Sequence, residues 1–310
     1  MTAASTTIDT PAGAVTATRG SHDAHPAGAN YLTTALTTGR RSILQFFRTP
    51  QLLMQGTIQG PLFLLMFRYV FGGAIRTGGA LTYVNWMVPG FLTTVILWTG
   101  MGGAAGVAED SSSGVYDRLR SLPIPRSAVM MGRSFADVTL VAWGVLVTGA
   151  VGFAVGFRVE GSIGGFLLGL VLILVSGYAF SWVFITMGLV SGNAQAAQGL
   201  SMLVIPFSFV SSANVPVQSM PGWMQPFAAN QPVSVVINAV RCLMQGGPEV
   251  VGGGIGHSTA YWVVLSLIWS AAILVVFSFI QMSKRRSASS TVNAFFFTPF
   301  NRWFLYTRPV

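Results

Sequence analysis

Residues 109–133 read EDSSSGVYDRLRSLPIPRSAVMMGR, the only long polar island between the apolar runs in the middle of a 310-residue chain. Glu109, Asp110 and Asp117 lie in it and Asp137 just beyond, four of the eight acidic residues in the whole sequence. Arg118, Arg120, Arg126 and Arg133 are interleaved with them. Most of the sequence on either side is apolar enough to sit in lipid. A charged segment so placed is expected to form a hairpin between two membrane spans, on the cytoplasmic side because it is basic, and to serve as a docking surface.

Composition supports this. Hydrophobic residues make up 52% of the chain and charged residues only 8%, against about 25% charged in a typical soluble domain. Mean hydropathy is +0.63. The expected class is an all-α polytopic membrane protein. The net charge of +9 does not point to nucleic acid, because the basic residues are sparse and lie beside apolar runs. Cys242 is the single cysteine, so no internal disulfide and no cysteine-based metal site can form. It reads as a small apolar filler.

Outward from the hairpin, six apolar stretches reach or approach the ~20 residues needed to cross a bilayer core. They are placed at 52–72, 84–108, 134–157, 163–190, 199–218 and 259–281, within a transmembrane domain of residues 49–283. Residues 1–30 lack bulky apolar side chains and are expected to be a disordered tail. They contain no apolar core of a signal peptide, and His22 and His25 read as part of a solvated tail rather than as a metal pair. Over 31–48, Leu32, Leu36, Ile43 and Phe47 share one helical face beside Arg40, Arg41 and Arg48. That pattern fits an amphipathic helix in the membrane interface, arginines toward lipid headgroups. The alternative is that it is simply the start of the first span. Arg68, in that span, either snorkels to the surface or lines a polar path.

Placing both termini inside puts Arg19, Arg40, Arg41, Arg48, the four hairpin arginines, Lys284, Arg285, Arg286, Arg302 and Arg308 on the cytoplasmic side. Arg76, Arg158 and Arg241 fall outside. This asymmetry favours an even number of spans in a plasma-membrane protein. Between the last two spans, Pro216, Pro221, Pro226 and Pro232 chop the chain into short pieces. Val233–Met244 is helix-like but too short to span, so residues 219–247 are expected to form an outer re-entrant or interfacial region. The rival reading is an ordinary extracellular cap. Residues 284–310 form a basic, aromatic cytoplasmic tail.

Missing chemistry narrows the function. A phosphate-binding loop needs a lysine after a glycine run, and the only lysine, Lys284, has no glycine before it. The expected span interiors hold no Asp, Glu or His, which disfavours proton coupling. No catalytic set can be assembled, so no catalytic and no metal-binding residue is assigned, and the chain is not expected to be an enzyme. In the hairpin, Val115, Leu119 and Leu122 form an apolar stripe, Ser111–Ser113 can cap its start, Pro123 and Pro125 turn the chain, and Ser127 can cap the next helix. The plain alternative is a connector whose charges only set topology.

The run EDSSSGVYDRLRSLPIPRSAVMMGRSFADV resembles the signature hairpin of type-2 ABC exporter permeases, carried by Glu109, Gly114, Asp117, Arg118, Leu119, Arg120, Leu122, Pro123, Ile124, Arg126, Gly132 and Arg133. Residues 221–247, PGWMQPFAANQPVSVVINAVRCLMQGG, and Phe71–Ile75 are similar to the daunorubicin- and doxorubicin-resistance branch. The likeness runs from about residue 31 to 286; the two tails depart from it. The resemblance implies six spans, an N-terminal interfacial helix, a coupling helix between spans 2 and 3, and outer re-entrant helices. It implies two paired permease subunits, identical or paralogous, each docked on a separate ATPase subunit that holds ATP and Mg. It gives the coupling role to the motif residues, with Asp110 beside them. It also implies that spans 2 and 5 face a central path, for which Trp86, Phe91, Trp98, Met101, Met202, Phe207 and Phe209 are candidates. The expected function is export of amphipathic drugs or lipids. The alternatives are export of a glycan or lipid-linked polymer, a secondary transporter without an ATPase, or a structural scaffold.

Overall fold

The computed structural model describes residues 31–48, 50–72, 81–114, 126–247 and 257–286. Ten helices run through them: α1 (Tyr31–Arg48), α2 (Pro50–Met66), α3 (Tyr83–Ser112), α4 (Arg126–Ala154), α5 (Ile163–Val190), α6 (Ala194–Met202), α7 (Val204–Phe209), α8 (Gln225–Asn230), α9 (Pro232–Gln245) and α10 (Thr259–Arg286). A π-turn at Phe67–Phe71 prolongs α2. No strand occurs among the described residues. Among the described residues, four helices are long and apolar enough to cross a membrane: α3, α4 from Met131, α5, and α10 as far as Gln281.

At the centre stands α3, buried along almost its whole length and packed against α2, α4, α5, α6 and α9. Its residues are apolar on every side, as an enclosed helix requires. Mean hydropathy rises in the order α3, α4, α5, α10, while the buried share falls in that same order. This is the reverse of a soluble protein. The outermost helix must be the most apolar when the solvent is lipid, and only an enclosed one accommodates polar side chains on partners of its own. The faces of α5 and α10 away from α3 expose Leu167, Leu168, Val171, Leu267, Ile268 and Phe279. Apolar exposure of that extent marks a membrane surface.

Glycines let the helices close up. The Phe184 ring of α5 fills the space a Cβ would take at Gly100, and a Cβ at Gly188 would lie 2.5 Å from the Ala104 carbonyl. Gly165 and Gly169, four residues apart on α5, both face α9 at Leu243 and Met244. Polar pairs add lateral ties. Ser176 and Ser270 hydroxyls are 3.2 Å apart between α5 and α10. Gln281 donates to Thr186 at 2.9 Å.

Two sequence expectations need correction. The stretch 199–218 is not one continuous helix: α6 begins at Ala194 and stops at Met202, α7 ends at Phe209, and irregular backbone follows. Pro206 is the cause. Its ring collides with the carbonyl four residues earlier, that of Met202, and it has no N–H to donate there. Secondly, α3 continues past 108 to Ser112. The Ser112 and Ser113 hydroxyls donate back to the Glu109 and Asp110 carbonyls of α3, and the helix they are expected to cap lies outside the described residues. Gly114, with φ +71°, takes the left-handed conformation that ends a helix.

Candidate functional site

Two helix ends and the middle of a third helix meet at the base of the 109–133 hairpin: the end of α3, the first turns of α4, and the middle of α1. They come together because small residues lie at the contacts. A Cβ on Gly39 of α1 would sit 3.0 Å from the Gly132 carbonyl of α4. A Cβ on Gly106 of α3 would sit 2.9 Å from Nη2 of Arg133. The glycines open a slot, and a guanidinium fills it.

Arg133 projects from α4 into that slot and is 8% exposed. Its Nη2 donates to the Gly103 carbonyl at 3.1 Å. Its Nη1 lies 3.7 Å from Oδ2 of Asp110, and its Nε 3.3 Å from Oδ1 of Asp137 one turn further along α4. The Asp137 contact is an ion pair within one helix, four residues apart. Gly103 leaves room for that carboxylate, at 3.4 Å from where its Cβ would be. On the outer flank, Arg41 of α1 donates through Nη2 to Oδ1 of Asp110 at 2.9 Å. Two arginines and two aspartates thus alternate, and the formal charge cancels. Charges at this depth persist only when paired in this way.

Asp110 and Arg133 are therefore held together with Gly114 close by, and Glu109 is exposed beside them. Asp117, Arg118, Leu119, Arg120, Leu122 and Pro123 lie outside the described residues, as does the side chain of Arg126. Sequence reasoning had taken Asp137 only as a flanking charge. Its spacing of four from Arg133 was the available signal.

The path candidates fall into two groups. Trp86, Phe91, Trp98 and Met101 are buried within the chain. Met202, Phe207 and Phe209 of α6 and α7 are exposed at 55%, 50% and 44%. Phe209 meets Phe63 of α2, whose ring stacks on Trp98 with centroids 5.3 Å apart. Arg68 is half-buried, with Cζ 5.8 Å from the Tyr69 ring centroid.

Comparison with known proteins bears directly on this arrangement. The profile of the ABC-2 type transporter family matches residues 34–244, which take in all three helix segments at the hairpin base. The chain belongs to the ABC-2 type transporter family. The daunorubicin resistance ABC transporter permease protein DrrB1 of Streptomyces coeruleorubidus is 30% identical over 86% of this chain and 90% of its own length. The doxorubicin resistance ABC transporter permease protein DrrB of Mycobacterium tuberculosis is 25% identical over 78% of this chain and 87% of its own. The probable doxorubicin resistance ABC transporter permease protein DrrC of that organism is 31% identical over 56% of this chain and 59% of its own.

A second polar cluster of this ABC-2 chain lies at the other end of α3 and was not anticipated. Sequence reading put Arg241 among the outer-loop charges, whereas it is completely buried. It donates to the Trp86 carbonyl at 2.9 Å, the Ser212 carbonyl at 2.8 Å and Asn238 Oδ1 at 3.3 Å. Its Cζ sits 4.1 Å from the Trp86 ring centroid, a cation–π contact. Ser234 and Asn238 accept from Ser212, and Gln245 donates to the Arg158 carbonyl. Ser234, Asn238, Arg241 and Gln245 recur along one face of α9. That polar stripe was visible in the sequence, but its inward direction was not. It satisfies the irregular backbone after α7, the condition for non-helical chain at membrane depth.

Proposed function

We propose that this chain is the permease subunit of an ATP-driven exporter, working with a separate ATPase subunit that binds ATP and Mg and docks on the 109–133 hairpin. Both termini are cytoplasmic, six segments cross the membrane, α1 lies in the inner interface and α8–α9 form the outer re-entrant region. Two such permease subunits pair, identical or paralogous. The observation that carries this reading is the Arg133 junction. One side chain from the return limb of the hairpin grips a carbonyl and a carboxylate on the outgoing limb. A push on the tip is then delivered to α3 and α4 together instead of being absorbed by a flexible loop.

The substrates that fit are amphipathic drugs or lipids. The relatives named for daunorubicin and doxorubicin resistance support this. So does the exposed set Met202, Phe207 and Phe209, which offers polarizable and aromatic contacts without charge. That surface is proposed to face the path between the paired subunits, with Trp98 behind it and Trp86, Phe91 and Met101 supporting the wall.

The test is co-purification of the ATPase with the full-length chain. Asp117→Arg or Arg120→Glu is expected to abolish recovery of the ATPase while the chain itself stays in the membrane. Undiminished recovery after disruption of the whole hairpin would overturn the docking role. Daunorubicin efflux from vesicles holding both subunits, reduced by Phe207→Ala with Phe209→Ala, tests the path.

A further inference from the structure

Among the described residues, depressions on the surface include two that could take a ligand. The one between α4, α5 and α10 is walled by Phe135, Val171, Tyr178 and Leu267 and has nothing to select among apolar occupants. The other, of about 440 Å³, lies on α1 and is lined by Thr37, Arg40, Arg41, Leu44 and Arg48. Thr37, Arg40, Leu44 and Arg48 follow one another at three- and four-residue steps, as do Thr37, Arg41, Leu44 and Arg48, so successive turns place them on one side of the helix. Arg40 and Arg48 are exposed, and among the described residues neither meets a carboxylate. Arg41 alone is committed, through Asp110.

Three guanidiniums around one depression match a phosphate, whose oxygens accept from their planar N–H forks. The surroundings decide which phosphate. Leu44 lies in the lining. Leu36 is 71% exposed and Phe47 42% exposed on the adjoining side of the helix. A free ion gains nothing from that apolar side, whereas a headgroup with acyl chains occupies both. We infer that the α1 depression binds the phosphate of an anionic membrane lipid, with Arg41 shared between lipid and Asp110. This goes beyond the export reading and has in common with it only the position of α1 at the membrane surface. The inner leaflet, where α1 is placed, is the anionic one.

Native mass spectrometry of the full-length chain, titrated in detergent with phosphatidylglycerol, phosphatidylcholine or inorganic phosphate, tests it. Wild-type protein is expected to retain phosphatidylglycerol over phosphatidylcholine, and the preference is expected to weaken as salt rises. Arg40→Glu with Arg48→Glu is expected to reduce the preference by more than about 30-fold, at roughly fivefold for each of the two cations lost and with the repulsion of the added carboxylates on top. Arg40→Lys with Arg48→Lys keeps the charge and is expected to keep most of the preference, which separates lipid binding from damage to the helix. Equal retention of the two lipids, an unchanged preference in the glutamate pair, or inorganic phosphate binding as well as phosphatidylglycerol would each overturn the inference.

Discussion

Arg133 and Arg41 both reach Asp110, yet they are not equivalent. The Arg133 and Asp137 side chains are 10% and 6% exposed, whereas the Arg41 side chain is 52% exposed. Removing one member of a buried pair leaves a charge with no partner and costs about 3–5 kcal/mol. Losing an exposed pair costs about 0.2–1 kcal/mol. Arg133→Ala is therefore expected to lower the unfolding free energy in detergent several times more than Arg41→Ala, as followed by thermal unfolding of the purified chain. Arg241 presents a different case, because among the described residues no carboxylate contacts it. Arg241→Met removes the cation and leaves only neutral acceptors, so a smaller loss of about 1–3 kcal/mol is expected. The same unfolding assay ranks the two variants, and an Arg241→Met loss exceeding that of Arg133→Ala would contradict the assignment of buried ion pairs to the hairpin base.

At the scale of helices, contacts between backbones decide more than side-chain size does. At Gly188 a Cβ would meet the Ala104 carbonyl, a rigid backbone atom, whereas at Gly199 on α6 it would meet nothing within 4 Å. Gly188→Ala is expected to destabilise by about 1–3 kcal/mol through overpacking. Gly199→Ala should be neutral or stabilising by up to about 1 kcal/mol, through reduced freedom of the unfolded chain. The matched pair is read from melting temperatures in one detergent. Apolar runs made most helices legible in the sequence, because a helix in lipid must be apolar along its length whatever it touches. The break between α6 and α7 was also present in the residues, at Pro206, but a proline inside a long apolar run signals only that a break is tolerated. Whether neighbours satisfy the freed carbonyl is a tertiary matter. Arg241 shows the same limit: composition marks it as a charge, and only packing makes it an interior one.

For the whole molecule, the arrangement of charge implies an orientation that labelling can check. Trp223 is 79% exposed, and the lone Cys242 is buried. In intact cells, Trp223→Cys is expected to react with a membrane-impermeant maleimide, and Ser113→Cys only after permeabilisation. The unmodified chain should stay unlabelled until denatured, so Cys242 need not be removed first. Labelling of Ser113→Cys from outside would invert the proposed topology. The hairpin stands out in the sequence because charge inside an apolar sequence is conspicuous. The slot that anchors it was not, since Gly103 and Gly106 look like any other glycines in a chain that has 36 of them.

The inverse relation between hydropathy and enclosure also bears on how the chain is made. Synthesis runs from the N-terminus, so α3 emerges before α5, α6 and α9, the helices that surround it in the finished protein. It is the least apolar of the four long helices and carries Asn85, Thr93, Thr94 and Thr99. For a time it must reside in the membrane with those groups unsheltered, or wait beside the insertion machinery until its neighbours arrive. The most apolar helix, α10, arrives last and needs no such shelter. Assembly of this chain is thus expected to be limited at α3, and truncation after α4 leaves the central helix with only part of its enclosure.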